Sequence, residues 1–455
     1  MRVSIIGTGY VGLVSGVCLA EKGHQVICVD VDRAKVDQIN RGDPPIHERD
    51  LAELLKKNLD GSFRATADLE KAINETELSL IAVGTPFAGD EIDLKYVKEA
   101  AIQAGKVLKT KVGYHTVVVK STVVPGTTED IVLPLLEQNS GKKAGPDFGI
   151  GMNPEFLREG EAVHDFLFPD RIVMGGIDDR TLDQLDELYR PFADVDKIRT
   201  NPRTAETIKY TANALLATMI SFSNEIANLC TTIGDVDAMD VMRGVHLDKR
   251  LSPIRDDGER VRPDFLTYLE GGCGFGGSCF PKDLKALASF GRRSGHAMRL
   301  LEAVVEVNQT QPRQMLKLLQ EHFPKLAGIR VTVLGLAFKP GTDDMRESPA
   351  IPIIQELLQQ QAKVTAFDPI IKRSDFNGAA SITYTDNLSD AIAGAEAILV
   401  LTRWPQFKDL PELLSKLSQP PVVIDGRRLL DRASVSRYEG IGLRISKGKD
   451  QLLAR

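Results

Sequence analysis

The chain opens with an apolar run at residues 3–6, followed at once by Gly7, Gly9 and Gly12 in the spacing G-x-G-x-x-G and by helical text at 11–21. No other feature restricts the fold as much. In a strand-turn-helix unit the first glycine permits the tight turn, the second lets main chain approach a pyrophosphate, and the third lets helix and strand pack closely. A second apolar run at 25–29 ends in Asp30, at about the 20-residue distance where an acid accepts hydrogen bonds from a ribose. A carboxylate there repels a 2′-phosphate, so NAD is the expected cofactor, while Lys35 keeps NADP from being excluded. Thr85-Pro86 and Ser121-Thr122 follow further apolar runs at 78–83 and 116–119, at the sheet edge where ligands sit.

Runs at 148–151 and 171–174 continue the alternation of short apolar and longer amphipathic segments, the signature of a mostly parallel sheet wrapped by helices. From 204 to about 229 the text changes to one long helix without Pro or Gly, and helical text continues to about 319. After Pro324 strand-like runs return at 330–334, 363–367, 397–401 and 421–424, with a helix at 351–360 between the first two. The opening strand of this last part leads into GLAFKPG, which lacks the dinucleotide glycine spacing. The expected class is α/β: two Rossmann-like doubly wound domains, 1–200 and 323–455, joined by a central all-helical domain, 201–322. The polar residues 446–455 read as a loose end.

The chain has 57 basic and 63 acidic residues, with no long run of one sign, which argues against a nucleic-acid or membrane-surface partner. Five cysteines without a CxxC pair argue against a disulfide framework and a zinc site, so no metal is expected. Met1 leads within two residues into a strand, and no apolar run reaches the roughly 18 residues of a membrane span; a cytoplasmic protein is expected.

The densest chemistry lies at 274–283, GFGGSCFPKD. Pro281 suits the first turn of a helix, which puts Cys279 just before its N-terminus. There the helix dipole and Lys282 are expected to favour the nucleophilic thiolate. Gly272, Gly274, Gly276 and Gly277 are expected to let substrate come close, and Asp283 lies one turn on, placed to orient a water. A lone cysteine beside glycines is often only a small buried residue. That reading suits Cys18, Cys28, Cys230 and Cys273, none of which precedes a helix in this way.

The motifs GTGYVGL, VKSTVVPGT, NPEFLREG, KYTANALLA, GFGGSCFPKD, LAFKPGTDDMRESP and DGRRLLD, in this order, resemble the UDP-glucose/GDP-mannose 6-dehydrogenase family from Met1 to about Asp431. The resemblance implies a four-electron oxidation of a sugar C6 alcohol to a carboxylate, with two NAD⁺ used in turn and a cysteine that captures the aldehyde. Cys279 would form a thiohemiacetal whose oxidation gives a thioester for water to cleave. Lys209 and Asn213, spaced i,i+4 on the long helix, would donate to the oxygen that becomes negative. Glu155 and Glu159 correspond to active-site glutamates, a carboxylate near the thioester can act as general base, and Asp283 and Thr122 would hold the water or the first alcohol; which group takes the proton in each step is left open.

For the cofactor the resemblance adds Tyr10, Val11, Thr85, Thr122, Glu159, Lys282 and Arg346 to the glycine loop and Asp30. For the nucleotide sugar it adds Phe156, Leu157 and Tyr268, together with Leu269, Gly276 and Phe338. Lys339, Arg346 and Arg427 match basic positions that hold the nucleotide half. The long helix forms a dimer core in the family, and Leu215, Leu216, Met219 and Ile220 are compatible with a homodimer, with higher oligomers open.

UDP-glucose is the expected substrate, because the motifs on its side lie closer to where substrate is expected, with GDP-mannose as the alternative and another UDP sugar behind both. Asp170-Arg171, TRWPQF and DGRRLLD resemble the UDP-glucose branch, and SGKKAGPDFG resembles the GDP-mannose branch. Three departures stand out. The loop 248–274 is longer than usual, leaving open whether Arg250 or Arg262 is the family's loop arginine. HERDL at 47–51 keeps only Glu48 and Leu51 of the family pattern, and Arg403 replaces a usual Glu.

Overall fold

A computed structural model describes residues 1–59, 61–372 and 382–444. The chain forms two compact units, Met1–Ala212 with Ser289–Gly295, and Asn213–Ala288 with His296–Arg455. The polar tail at 446–455 lies outside the described residues.

The first unit is built on a sheet whose order runs Phe63–Thr66, Gln25–Val29, Arg2–Ile6, Leu78–Ile81, Thr116–Val119, Gly149–Met152, Arg171–Gly176, Asp196–Thr200. Numbered along the chain, the first six strands stand 3-2-1-4-5-6 and pair in parallel, the order of a dinucleotide-binding sheet. The seventh strand pairs antiparallel to the sixth, and the eighth is parallel to the seventh. Most central strands are buried along nearly their whole length because helices cover both faces. The apolar runs revealed those strands. Phe63–Thr66 and Asp196–Thr200 escaped because they are edge strands carrying Arg64, Asp196 and Arg199 to solvent.

The second unit repeats the order in Thr383–Tyr384, Lys363–Phe367, Arg330–Leu334, Ala397–Val400, Val422–Asp425 and Tyr438–Gly440, again parallel. Leu443–Arg444 then turns back antiparallel and pairs with Val236–Asp237. The middle of the chain is helical as expected, with two exceptions. Val236–Asp237 joins the second sheet, and between His246 and Phe280 the described helical structure is one 3-10 turn, Asp264–Tyr268. That stretch is rich in Pro, Gly and charge, which explains its irregular backbone.

The long helix spans Pro202–Ile233, starting two residues before the sequence expectation. Asn201 caps it, its side chain accepting from Thr204 N at 2.8 Å, and Pro202 fills the first position, where no amide donor is needed. The helix passes from the first unit into the second between Ala212 and Asn213.

Candidate active site

In the first unit the glycine loop has the geometry that its spacing predicts. Gly7 adopts φ +103°, and a Cβ on Gly12 would lie 2.0 Å from the Gly7 carbonyl oxygen, which only glycine avoids. A Cβ on Gly9 would meet nothing within 4 Å. Gly9 caps the helix Tyr10–Glu21 without a side-chain hydrogen bond, the arrangement in which first-turn amides face a phosphate. Asp30 follows the second strand and accepts from Thr8 N at 3.0 Å, Thr8 Oγ1 at 2.5 Å and Asp32 N at 3.0 Å. Burial pushes its pKa up, but these hydrogen bonds and the charge of Lys35 outweigh that and hold it below the ordinary value. The open space at Gly9 and the fixed, anionic Asp30 fit NAD.

Thr85 and Thr122 come together, Thr85 Oγ1 donating to the Thr122 carbonyl at 2.9 Å. Val11 stands in the first turn of the cofactor helix, whereas Tyr10 next to it is committed to protein. Its hydroxyl contacts a carboxylate oxygen of Glu48 and accepts from Gly160 N at 2.9 Å. Glu48 also accepts from Gly160 N at 2.8 Å and Ala162 N at 3.0 Å, so one of the two residues kept in the altered HERDL motif holds the end of NPEFLREG.

Within that motif Glu155 is buried, with Oε1 3.0 Å from Lys209 Nζ and Oε2 accepting from Leu157 N at 2.6 Å. Burial raises its pKa, yet the charges of Lys209 and Lys120 and these hydrogen bonds leave it lowered. Phe156 lies beneath the Arg171 guanidinium at 3.8 Å, with Lys209 Nζ 5.4 Å from its ring. Glu159 is half-buried, and the exposed Arg158 pairs with Glu161 and Asp165.

Two buried residues of this unit escaped the sequence reading. Glu206 accepts from Gly126 N at 2.6 Å, Thr128 N at 2.8 Å and Thr128 Oγ1 at 2.7 Å, and burial lifts its pKa to about 7. Its i,i+3 spacing to Lys209 was a usable signal. Lys120, directly after the Thr116–Val119 strand, donates to Asn153 Oδ1 at 2.8 Å.

In the second unit Cys279 stands immediately before the helix Phe280–Arg293, its carbonyl accepting from Asp283 N at 2.8 Å. It is half-exposed, whereas Cys18, Cys28, Cys230 and Cys273 are buried. Its Sγ lies 3.6 Å from Ser278 Oγ. Asp283 is buried, accepting from Asn213 Nδ2 at 2.6 Å and pairing with Lys282 Nζ at 2.7 Å. The expected donors thus start out engaged: Lys209 pairs with Glu155, Asn213 donates to Asp283, and Lys282 shares its charge with Asp283.

The glycines before Cys279 are required by packing as well. A Cβ on Gly276 would lie 2.3 Å from the Glu347 carbonyl oxygen, and one on Gly277, at φ +86°, 2.8 Å from the Phe338 ring. Gly272 faces the Gly426 carbonyl and Gly274 the Asn308 amide in the same way. Arg427 ties down the same loop through Nη1 to the Gly274 carbonyl at 2.9 Å and Nε to the Leu401 carbonyl at 2.7 Å. The unusual Arg403 meets Glu270 at 2.6 Å, so a residue within the longer loop answers the substitution.

Of the other expected substrate contacts, Tyr268 and Leu269 close the 3-10 turn, and Lys339 Nζ sits 5.8 Å from the Phe338 ring. Arg346 pairs with Asp344 at 2.8 Å, while Arg250 and Arg262 are exposed, Arg250 on Asp248. Asp368 follows the second strand of this sheet, as Asp30 does in the other. It is buried and accepts from Leu336 N, Ala337 N, Ile370 N, Ile371 N and Trp404 Nε1. This carboxylate is saturated by protein, so the second sheet lacks the ribose acceptor of a dinucleotide site.

Three family models match in sequence: the NAD binding domain of the UDP-glucose/GDP-mannose dehydrogenase family over residues 1–193, its central domain over 203–310 and its UDP binding domain over 332–432. The chain is 43% identical over 446 residues to the UDP-glucose 6-dehydrogenase AglM of Haloferax volcanii, covering 97% of this chain and 100% of that one. It is 37% identical to a GDP-mannose 6-dehydrogenase of Azotobacter vinelandii, over 90% and 93% of the two chains. A solved UDP-glucose dehydrogenase of Pyrobaculum islandicum superposes with TM-score 0.88 at 38% identity, covering 97% and 98%. The chain therefore belongs to the UDP-glucose/GDP-mannose dehydrogenase family and is an NAD-dependent nucleotide-sugar 6-dehydrogenase.

Proposed function

We propose that the enzyme oxidises the C6 alcohol of UDP-glucose to the carboxylate of UDP-glucuronate, with Cys279 as the nucleophile. The observation that carries this reading is the placement of Cys279: half-exposed, alone in this among five cysteines, and at a helix N-terminus. NAD⁺, when bound, supplies the hydride acceptor for both oxidations. Cys279 Sγ adds to the aldehyde carbon to give a thiohemiacetal, and the thioester that follows is hydrolysed, with Glu155 accepting the proton of the attacking water. Lys209 and Asn213 leave their carboxylate partners to donate to the developing oxyanion. Asp283 and Thr122 position the water and the first alcohol.

The cofactor is assigned to the glycine loop, Asp30, Lys35, Thr85, Glu159, Lys282 and Arg346, and the nucleotide to Lys339 and Arg427. These assignments go with a division of the chain at 1–200, 201–322 and 323–455 into cofactor, helical and nucleotide parts. A homodimer through the long helix is part of the proposal. Leu215, Phe222 and Leu229 recur every seven residues on that helix and are each half exposed or more. We place the activity in the cytoplasm, which suits five cysteines that form no disulfide.

GDP-mannose is the second reading, favoured by SGKKAGPDFG and by the Azotobacter relative. A panel of UDP-glucose, GDP-mannose and UDP-N-acetylmannosamine, read as NADH formation, separates them. UDP-glucose is expected to give the highest kcat/KM, and a GDP-mannose preference would replace the proposed substrate.

A further inference from the structure

Lys120 is 2% exposed, and among the described residues no carboxylate lies within the 4.0 Å of an ion pair. A buried ammonium without such a partner is costly, and structures keep one where it has work to do. Its Nζ donates to Asn153 Oδ1 at 2.8 Å, and that oxygen also accepts from Tyr189 Oη at 2.5 Å. Asn153 is fixed further by Nδ2 to the Val173 carbonyl at 2.9 Å and by its own amide to the Val119 carbonyl at 2.8 Å. The Phe166 ring centre lies 5.8 Å from Nζ. The residue thus held, Asn153, is two positions before Glu155.

The charged groups that act on Lys120 are Glu155, which favours its proton, and Lys209, which opposes it. Tyr189, the other titratable group against this cluster, stays neutral because burial raises its pKa. Burial brings Lys120 itself down to about 8, within reach of the working pH. Lys120 in turn is among the charges that lower Glu155.

We propose that Lys120 is a positioning residue for the reaction: anchored on Asn153, its ammonium keeps Glu155 an anion, ready to accept a proton, while Lys209 turns toward the substrate oxygen. This rests on the reading of Glu155 as general base. With Lys209 withdrawn and Lys120 absent, the buried Glu155 carboxylate would keep only its hydrogen bond from Leu157 N against desolvation and would take up a proton from solvent before the water attacks. Lys120 therefore governs both limbs of activity against pH. The acid limb reports the protonation of Glu155, and the alkaline limb the loss of the Lys120 proton.

The test is kcat against pH, from about 5.5 to 10, for NADH formation from UDP-glucose by the full-length enzyme and its Lys120→Met, Asn153→Asp and Glu155→Gln variants. Lys120→Met is expected to shift the acid limb up by about one pH unit, to lower kcat about tenfold at pH values below that limb and to abolish the alkaline limb. A Met variant with the parent profile and only a lower melting temperature overturns the proposal. Should that variant not fold, Asn153→Asp decides. It is isosteric and gives Lys120 a carboxylate partner, so the alkaline limb must move upward; an unmoved limb overturns the proposal. Glu155→Gln separates the two ideas. Full activity in that variant removes Glu155 as base, whereas an inactive Gln variant beside an unshifted Lys120→Met profile removes Lys120 alone.

Discussion

Lys209 and Glu155 meet at 3.0 Å with 4% and 6% of their side chains exposed, on a helix and a loop separated by fifty-four positions in sequence. The pair joins the long helix to the segment that follows the Gly149–Met152 strand, and it engages the two groups assigned to oxyanion stabilisation and proton transfer.

Removing one partner leaves the other charge buried and unpaired, which costs about 3–5 kcal/mol in comparable pairs. Lys209→Met is therefore expected to lower the unfolding free energy by about 3 kcal/mol and kcat by at least about 10²-fold. Denaturant unfolding with steady-state kinetics on the same sample checks both. A variant that loses stability but keeps kcat would leave Lys209 a purely structural residue.

Cysteine reactivity should be selective. Burial pushes Cys18 up to about 12 and raises Cys28, Cys230 and Cys273, while Cys279 alone is half-exposed. Native enzyme treated with iodoacetamide is expected to carry one adduct, on Cys279, and to lose NADH formation at the rate of labelling. Cys279→Ala should take up no label and form uronate about 10³-fold more slowly or worse. Stoichiometric labelling of Cys279 in a fully active enzyme would refute its role.

His115 gives the first unit an acid-sensitive point. It is buried, with Nε2 2.8 Å from Ser79 Oγ and Nδ1 3.1 Å from the Thr76 carbonyl, and burial drops its pKa to about 3. Between the unfolded value of about 6.5 and that folded value, the unfolded chain binds the extra proton, so stability rises with pH across this window and is lost as pH falls. The effect approaches roughly 4 kcal/mol at the acid end. Unfolding free energies of the parent and His115→Gln from pH 6.5 down to 4.5 should differ in slope by about one proton, with the parent steeper. Parallel slopes would mean that His115 titrates alike folded and unfolded.

What could be read in the sequence was what is local to it. Gly7, Gly9, Gly12 and Asp30 declare themselves because a turn and the end of the next strand lie close along the chain. Cys279 declares itself because Pro281 marks the helix start beside it. Glu48, Lys120 and Glu206 did not, since each acts on main chain or an amide far along the sequence: Lys120 is 33 positions from Asn153, and Glu206 is 80 from Gly126. Only the i,i+3 spacing of Glu206 to Lys209 and the survival of Glu48 in the altered HERDL motif set them apart from surface charges, and neither signal names the partner. The four glycines before Cys279 were recognised as special, but their packing role was not legible, because the residues that crowd them, Asn308, Phe338, Glu347 and Gly426, come from distant parts of the chain. The strand Val236–Asp237 escaped for a similar cause: two residues carry no periodicity, and only Leu443–Arg444 makes them a strand.

The central claim is a four-electron oxidation completed on Cys279, and the amount of NADH formed per nucleotide sugar consumed tests it most directly. With limiting UDP-glucose and excess NAD⁺ the account predicts two NADH for each UDP-glucose, with UDP-glucuronate as the product and no free aldehyde captured by an added trapping amine. One NADH per sugar, with the aldehyde released, would contradict it.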